Sequence, residues 1–164
     1  RLFLSNSNKE LILLKEELDF IKEYVAMEKL RFESDTEFPF RVIVSTKVRV
    51  TEWLIPPLIL QPLIENAIKH GVLVSKNHPE IIVDIRLANA NTLNIDVINT
   101  HANPNKKRVH GLGIGNQLVI DRLAIFNELY PNQFHSSFQY GFNASKEYVA
   151  QIQITRNEQN TPKR

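Results

Sequence analysis

Leu58-Ile59-Leu60-Gln61-Pro62-Leu63-Ile64-Glu65-Asn66-Ala67-Ile68-Lys69-His70-Gly71 has the pattern of an amphipathic helix that ends at a glycine stop. At about 100° per residue, its side chains divide into two faces of different chemistry. The apolar face comprises Leu60, Leu63, Ile64, Ala67 and Ile68. The polar face comprises Gln61, Glu65, Asn66, Lys69 and His70.

The polar face of this predicted helix is the first candidate for a functional site. It brings a carboxylate, an amide, an amine and an imidazole within about three helical turns. Such a set is suited to holding a metal ion and its phosphates, with Glu65 able to orient a nucleophile. Taken by itself, the helix leaves a second interpretation open, because many surface helices carry a charged, solvated outer face.

Length and composition predict one ordinary globular domain. The chain has 164 residues, which is enough to bury a core without covalent staples. It contains no cysteine, which excludes disulfides and thiolate metal sites. A net charge of +2 gives no argument for a nucleic-acid partner, and the basic residues are massed only at Lys106-Lys107-Arg108. We therefore expect no direct binding to nucleic acid.

No stretch of the sequence predicts a membrane span or a secretion signal. The apolar runs are all shorter than the roughly 20 residues that a membrane helix requires. The chain opens with Arg1-Leu2-Phe3 and has no initiator methionine. We therefore expect it to be part of a longer protein.

The remaining patterns predict a helix, a strand, the central helix, two strands, a helix and two strands, in that order. The first helix carries its apolar repeat from Leu14 and extends to Phe32, and the first strand, from Phe40, is expected at a sheet edge because Pro39 precedes it. Residues 80–99 alternate as a hairpin, 100–111 read as a mobile loop, and a closing hairpin follows Phe134. This order predicts an α+β fold, a two-layer sandwich in which helices cover one face of a mixed, mostly antiparallel sheet. We expect the other face to be more exposed.

A second candidate site is the glycine-rich segment before the third helix. Gly111, Gly113 and Gly115 fall within five residues. Glycines at a helix N-terminus let backbone N–H groups approach an anion, and the helix dipole adds partial positive charge. The alternative is that the glycines only turn the chain.

Together these motifs resemble the Bergerat-type ATP-binding fold shared by gyrase, Hsp90, histidine kinases and MutL. The resemblance narrows to the LytS/YehU-type sensor histidine kinases and covers about residues 14–155. It rests on Glu17-Leu18-Asp19-Phe20-Ile21-Lys22-Glu23-Tyr24, on Glu28-Lys29-Leu30-Arg31-Phe32, and on the segment from Ile55 to Gly71.

The resemblance implies ATP and Mg²⁺ as cofactors and assigns roles to the polar face. Asn66 corresponds to the asparagine that coordinates Mg²⁺ between the ATP phosphates, and Glu65 to the acidic partner in phosphoryl transfer. Lys69 and His70 would face the phosphates or the ribose, and a small shift in helix register would decide which. The alternative of plain surface polarity stays open for these two residues. It also stays open for Lys106, Lys107 and Arg108 of the predicted loop, which are candidates to neutralise the γ-phosphate.

The sequence departs from the family at two places. Where such kinases carry Asp-x-Gly-x-Gly, this chain has Asn99-Thr100-His101-Ala102-Asn103, so Asn99 would accept the adenine amino group without the strength of a carboxylate. After the glycines, Asn116 stands where leucine is usual, and Leu118 where asparagine is usual. The chain therefore retains more of the family's motif residues on the phosphate side of the predicted pocket than on the adenine side.

The function implied is that of the catalytic ATP-binding domain of a two-component sensor histidine kinase, which transfers the γ-phosphate to a histidine on an upstream dimerisation domain. The alternative is a nucleotide-binding or interaction module of the same fold with weakened or lost kinase activity. A gyrase- or MutL-like ATPase acting on DNA is disfavoured by the near-neutral charge. The resemblance also implies a LytTR-type response regulator as partner and a homodimeric full-length protein. That protein would lie in the inner membrane, held by segments that precede this cytoplasmic domain.

This interpretation divides the chain into three segments. Residues 1–13 are expected to be the remnant of the upstream dimerisation helix or linker, 14–155 the catalytic domain, and 156–164 a disordered tail. No segment resembles the family's Pro-His-Phe-Leu-Phe-Asn-like phosphoacceptor motif. We therefore expect that the chain cannot phosphorylate itself.

Overall fold

Five strands form one mixed sheet in the computed structural model of the chain, which describes residues 11–31, 38–72, 80–100 and 114–157. The elements in order are β1 (Ile12–Leu13), α1 (Leu14–Arg31), β2 (Phe40–Val44), β3 (Leu54–Ile55), α2 (Gln61–Ala67) with a π-helical turn (Ile68–Val72), β4 (Ile81–Asn89), β5 (Thr92–Asn99), α3 (Ile114–Leu129), β6 (Phe134–Phe142) and β7 (Tyr148–Arg156).

The strand order of the sheet is β2-β4-β5-β7-β6. Only β2 runs parallel to its neighbour, and the other three pairings are antiparallel. The predicted α+β class, the mixed sheet and the edge position of β2 are therefore confirmed. A separate two-stranded pair joins β1 to β3, and this pair was not foreseen in the sequence.

The two faces of the sheet differ as the alternation predicts. On one face Ile85, Ile95 and Ile152 are fully buried in a single core with the apolar sides of the helices. The other face carries polar side chains that bond across the strands: Gln151 donates to Asp96 at 2.7 Å and Gln153 donates to Asn94 at 3.0 Å. Helices thus cover one side, and a polar ladder faces the other.

The central helix differs from its prediction at both ends. It begins at Gln61, and Leu58 lies before it in a left-handed conformation with φ of 57°. At the other end the chain does not stop at Gly71, because the π-helical turn continues to Val72. A Cβ on Gly71 would lie 1.9 Å from the amide nitrogen of Asn99, so glycine is required there by a close contact.

The packed domain also extends beyond its predicted boundaries. Ile12 is buried and pairs with Ile55, so the fold begins before residue 14. At the other end β7 runs to Arg156, and the Asn157 N–H donates to Gln133. The rest of the predicted upstream remnant, nearly all of the mobile loop predicted at 100–111, and residues 158–164 of the predicted tail lie outside the described residues. Within the described part of the chain, no helix is long and apolar enough to cross a membrane.

Candidate functional site

A buried carboxylate fixes the segment that leads into α2. Glu17 of α1 is fully buried, and its two oxygens accept the N–H groups of Leu58 at 2.8 Å and Leu60 at 2.9 Å. Arg122 of α3 donates to the Pro57 carbonyl in the same segment at 2.6 Å. Residues from two other helices therefore set where α2 starts and how it is oriented.

The pKa of Glu17 lies above its ordinary value. Burial raises it, and the N–H groups of Leu60 and Leu58 and the charge of Arg122 only partly oppose that effect. Because the N–H bonds hold the strained Leu58 turn, this carboxyl is a structural support of the candidate site rather than a member of it.

Asn66 faces α3 across a narrow gap. Its Nδ2 donates to Oδ1 of Asn116 at 3.3 Å, and Nδ2 of Asn116 donates to the hydroxyl of Tyr148 at 2.9 Å. Gly115 makes the approach possible, because a Cβ there would lie 2.5 Å from Nδ2 of Asn66 and 2.8 Å from the Pro62 carbonyl oxygen. Gly115 is therefore needed for close helix packing beside Asn66, and its predicted role toward an anion stays a prediction.

Asn99 lies at the end of β5, against the turn that follows α2. Its side-chain nitrogen donates to the Ala67 carbonyl at 3.2 Å, and it is only 3% exposed. Its Oδ1 has no hydrogen-bond partner among the described residues. A buried acceptor without a donor costs about 1–3 kcal/mol, so this oxygen is a ready binding point for a ligand N–H group.

The described contacts of Glu65 and Lys69 are with each other and with Gln61, not with Asn66. Glu65 accepts from Gln61 at 2.9 Å and lies 3.7 Å from the Lys69 amine. It also faces α1, where burial first and then the charge of Glu65 raise the pKa of Tyr24 above its ordinary value. Adjacent helical residues differ by about 100°, which separates Glu65 from Asn66.

The exposure of Lys69 and His70 is consistent with the alternative that they belong to a solvated helix face. The Lys69 side chain is 63% exposed, and His70 is exposed as well. The predicted partners on the phosphate side, Gly111, Gly113 and the cations 106–108, lie outside the described residues. The structure therefore brings together Asn66, Gly115 and, through the turn after α2, Asn99.

Sequence reasoning missed three supporting residues, Glu17, Asn116 and Tyr148. Glu17 is buried in a helix of ordinary amphipathic pattern, where a charged side chain gives no sign of its partners. Asn116 did carry a signal, since an amide stood where leucine is usual. Tyr148 gave none, because an aromatic residue at the start of a strand is commonplace.

A polar depression of about 810 Å³ lies elsewhere, at the β4–β5 turn and Arg156. It is at the opposite end of β5 from Asn99, and it contains none of the predicted site residues. We give it no part in the site.

Comparison with known proteins gives the family context. No protein-family model matches the chain. The sensor histidine kinase/phosphatase LytS of Staphylococcus aureus is 28% identical over 110 residues, which are 67% of this chain and 18% of LytS. The chain is a relative of the LytS-type sensor histidine kinases. It spans less than a fifth of the length of the curated relatives that it matches.

Solved structures agree on the fold. The catalytic domain of the histidine kinase ThkA superposes with a TM-score of 0.60 at 12% identity, over 89% of this chain and 95% of that one. The histidine kinase domain of the Erythrobacter litoralis EL346 blue-light activated kinase gives 0.58 at 10% identity, over 90% and 63%. The chain thus has the fold of a histidine kinase catalytic domain.

Proposed function

We propose that the chain is the ATP-binding catalytic domain of a sensor histidine kinase and supplies the γ-phosphate to a histidine on a separate dimerisation domain. The observation that carries the proposal is the buried, unpartnered oxygen of Asn99 among the described residues, close to the turn that follows Asn66. The relationship to LytS adds support. Because these relatives are kinases, they do not favour the alternative of a nucleotide-binding module that has lost kinase activity.

The adenine end of the proposed site fits an amino group. Oδ1 of Asn99 is an acceptor, and its amide is held in that orientation because Nδ2 donates to the Ala67 carbonyl. Gly71 lets the turn after α2 pack directly against this amide, because a Cβ there would lie 1.9 Å from its nitrogen. Adenine presents a donor at its exocyclic nitrogen, whereas guanine presents a carbonyl oxygen at the equivalent position. We infer a preference for adenine, weaker than a carboxylate would give.

The metal end of the proposed site rests on Asn66. An amide oxygen is a suitable Mg²⁺ ligand, and the described residues contain no group of three or more histidine, aspartate and glutamate side chains that could hold a metal. Asn66 would therefore share the ion with phosphate oxygens. When bound, Mg²⁺ neutralises phosphate charge, and the protein positions the reactants.

The proposed roles of the remaining polar residues follow from their location. Glu65 is the candidate to orient the acceptor histidine, since its side chain is partly exposed. Lys69 already pairs with Glu65 and would have to exchange that partner for a phosphate. His70, Gly111, Gly113 and Gly115 complete the proposed nucleotide contacts.

The partners proposed for the full-length protein are those of its relatives' class. They are a phosphoacceptor and dimerisation domain, a second copy of the protein and a LytTR-type response regulator. The longer protein would be held in the cell membrane by segments outside this chain.

The test of the proposal is a titration of the purified chain with a fluorescent ATP analogue, with Mg²⁺ and with a chelator. We expect saturable binding that ATP competes away and that Mg²⁺ strengthens. GTP should compete more weakly than ATP. Absence of saturable binding under both conditions would refute the proposal.

A further inference from the structure

We propose that Asn116, supported by Tyr148, is a positioning residue that turns the Asn66 amide so that its oxygen faces the cation. The inference rests on the proposed function and adds a residue to that site. Its basis is the chain of hydrogen bonds from Asn66 through Asn116 to Tyr148, at 3.3 Å and 2.9 Å.

Orientation matters because an asparagine amide has two unlike ends. Its oxygen can ligate a cation and its NH₂ group cannot. In the structure, Oδ1 of Asn116 occupies the NH₂ end of Asn66. The oxygen of Asn66 is therefore the end left for a cation, whereas a half-turn of the amide would present nitrogen instead.

The position of Asn116 makes it an effective support. It is 5% exposed, so its own amide must find partners inside the protein. It finds one on α2 and one at the start of β7, where Tyr148 is the cross-strand neighbour of Asn99. The support therefore joins α2, α3 and the sheet at the edge where the adenine contact is proposed.

The hydrogen-bond pattern has a mirror arrangement, and this makes the inference testable. If both amides reversed, Asn116 would donate to Asn66, and the Tyr148 hydroxyl would donate to Asn116. That arrangement would present the NH₂ group of Asn66 to the cation. An aspartate at 116 accepts only, so it forbids the reversed state, whereas a leucine supports neither state.

Three variants separate these states: Asn116→Leu, Asn116→Asp and Tyr148→Phe. We expect Asn116→Leu to weaken nucleotide affinity in Mg²⁺ by about 10- to 100-fold, the usual effect of removing a residue that orients a metal ligand. Affinity in chelator should be unchanged. Asn116→Asp should keep the Mg²⁺ enhancement, and Tyr148→Phe should lose part of it.

A second readout needs no nucleotide. The side-chain NH₂ resonances of Asn66, identified by their loss in Asn66→Ala, should shift in ¹⁵N–¹H spectra of Asn116→Leu and keep a hydrogen-bonded position in Asn116→Asp. Gln117→Leu is the matched control, an amide-to-leucine change at the next residue. Gln117 is only partly buried, and among its described contacts its side chain bonds to Asp121.

The outcomes distinguish this inference from the proposed function. A parent protein that shows no saturable nucleotide binding would overturn both, whereas one that binds nucleotide without any Mg²⁺ enhancement would overturn the positioning role alone. A parent with the enhancement and an Asn116→Leu variant that retains it would overturn the positioning role alone, as would equal losses with and without Mg²⁺. If Asn116→Leu fails to fold, an unaltered enhancement and an unaltered Asn66 resonance in Tyr148→Phe would overturn it.

Discussion

At the scale of single residues, the candidate site depends on two asparagines whose environments differ. Asn66 is partly buried, and its amide is engaged by another amide. Asn99 is buried, with its donor satisfied and its acceptor unpartnered among the described residues. Asn66 is placed to bind a cation together with water or phosphate oxygens. Asn99 is placed to accept a hydrogen bond from one specific donor.

Replacing Asn66 by alanine is expected to abolish Mg²⁺-dependent nucleotide binding while the fold persists. The change removes one hydrogen bond and leaves the Asn116 oxygen without its donor, at a cost of about 1–2 kcal/mol of unfolding free energy. Circular-dichroism melts beside the nucleotide titration measure both effects. Asn94→Ala is the control, since it removes a bond of similar type on the far face of the sheet. Undiminished affinity in Asn66→Ala would remove Asn66 from the site.

Replacing Asn99 by aspartate is expected to sharpen selectivity and lower stability at the same time. A carboxylate would accept the adenine amino group in a charge-assisted bond and raise the ATP-over-GTP preference by roughly tenfold. The same carboxylate cannot donate to the Ala67 carbonyl, so two acceptors would meet there and the melting temperature should fall. Competition titrations and melts measure these effects. An aspartate variant that binds ATP no better than the parent would argue against Asn99 as the adenine contact.

The residues of the site were predictable to different degrees. Asn66 and Asn99 were found from local pattern and resemblance, because their neighbours in sequence carry the motif. Asn116 could not be assigned to Asn66, since the bond spans 50 residues and depends on how two helices pack. The separation of Glu65 from Asn66 follows from helix geometry, but the partner of Glu65 on α1 does not.

At the scale of elements, the course of α2 is set by its contacts more than by its own sequence. Pro62 and Gly71 correctly indicated which part of the chain forms this helix. The start at Gln61 depends on Glu17, and the turn through Gly71 depends on Asn99. Both determinants lie more than 25 residues away in sequence, so the boundaries of the helix could not be obtained from its propensities alone.

Glu17→Gln is expected to change how stability depends on pH. The carboxyl has an ordinary pKa of 4.5 and a higher one in the folded protein. Between these two values the unfolded chain releases its proton and the folded protein retains it. The free energy of unfolding contributed by Glu17 is therefore present below pH 4.5 and is lost as pH rises through the folded-state pKa.

Denaturant titrations of the parent and Glu17→Gln across this window measure the effect. At low pH the variant should be less stable by about 1–2 kcal/mol, because its NH₂ group must face one of the two N–H donors. The difference in unfolding free energy between the parent and the variant should become smaller as pH rises above 4.5. Glu23→Gln, an exposed change on the same helix, is the control. A gap that stays constant with pH would contradict a raised pKa for Glu17.

At the scale of the whole molecule, element order and sheet class followed from the sequence because hairpins and amphipathic helices are local patterns. The parallel pairing of β2 with β4 was not specified by them, nor was the short β1–β3 pair. Both pairings join strands that are about 40 residues apart in sequence, so local patterns do not specify them. The described part of the chain forms one layered domain with a single core.

The last prediction is that this polypeptide does not phosphorylate itself, however well it binds ATP. Its histidines are His70, His78, His101, His110 and His135. None lies in a segment like the Pro-His-Phe-Leu-Phe-Asn motif of the kinases it resembles. Of the two in the described regions, His70 is beside the proposed pocket, and His135 is exposed on β6 at the other end of the hairpin from Tyr148.

Phosphoryl transfer requires a nucleophile held in line with the γ-phosphate at close range. A neighbouring helical domain would normally present that nucleophile. Incubation of the chain with γ-labelled ATP and Mg²⁺ should therefore leave it unlabelled. A longer polypeptide that includes the phosphoacceptor segment should be labelled on histidine, and Asn66→Ala in that polypeptide should abolish the label. Acid-labile phosphate on the present chain would contradict this interpretation and direct attention to its own histidines.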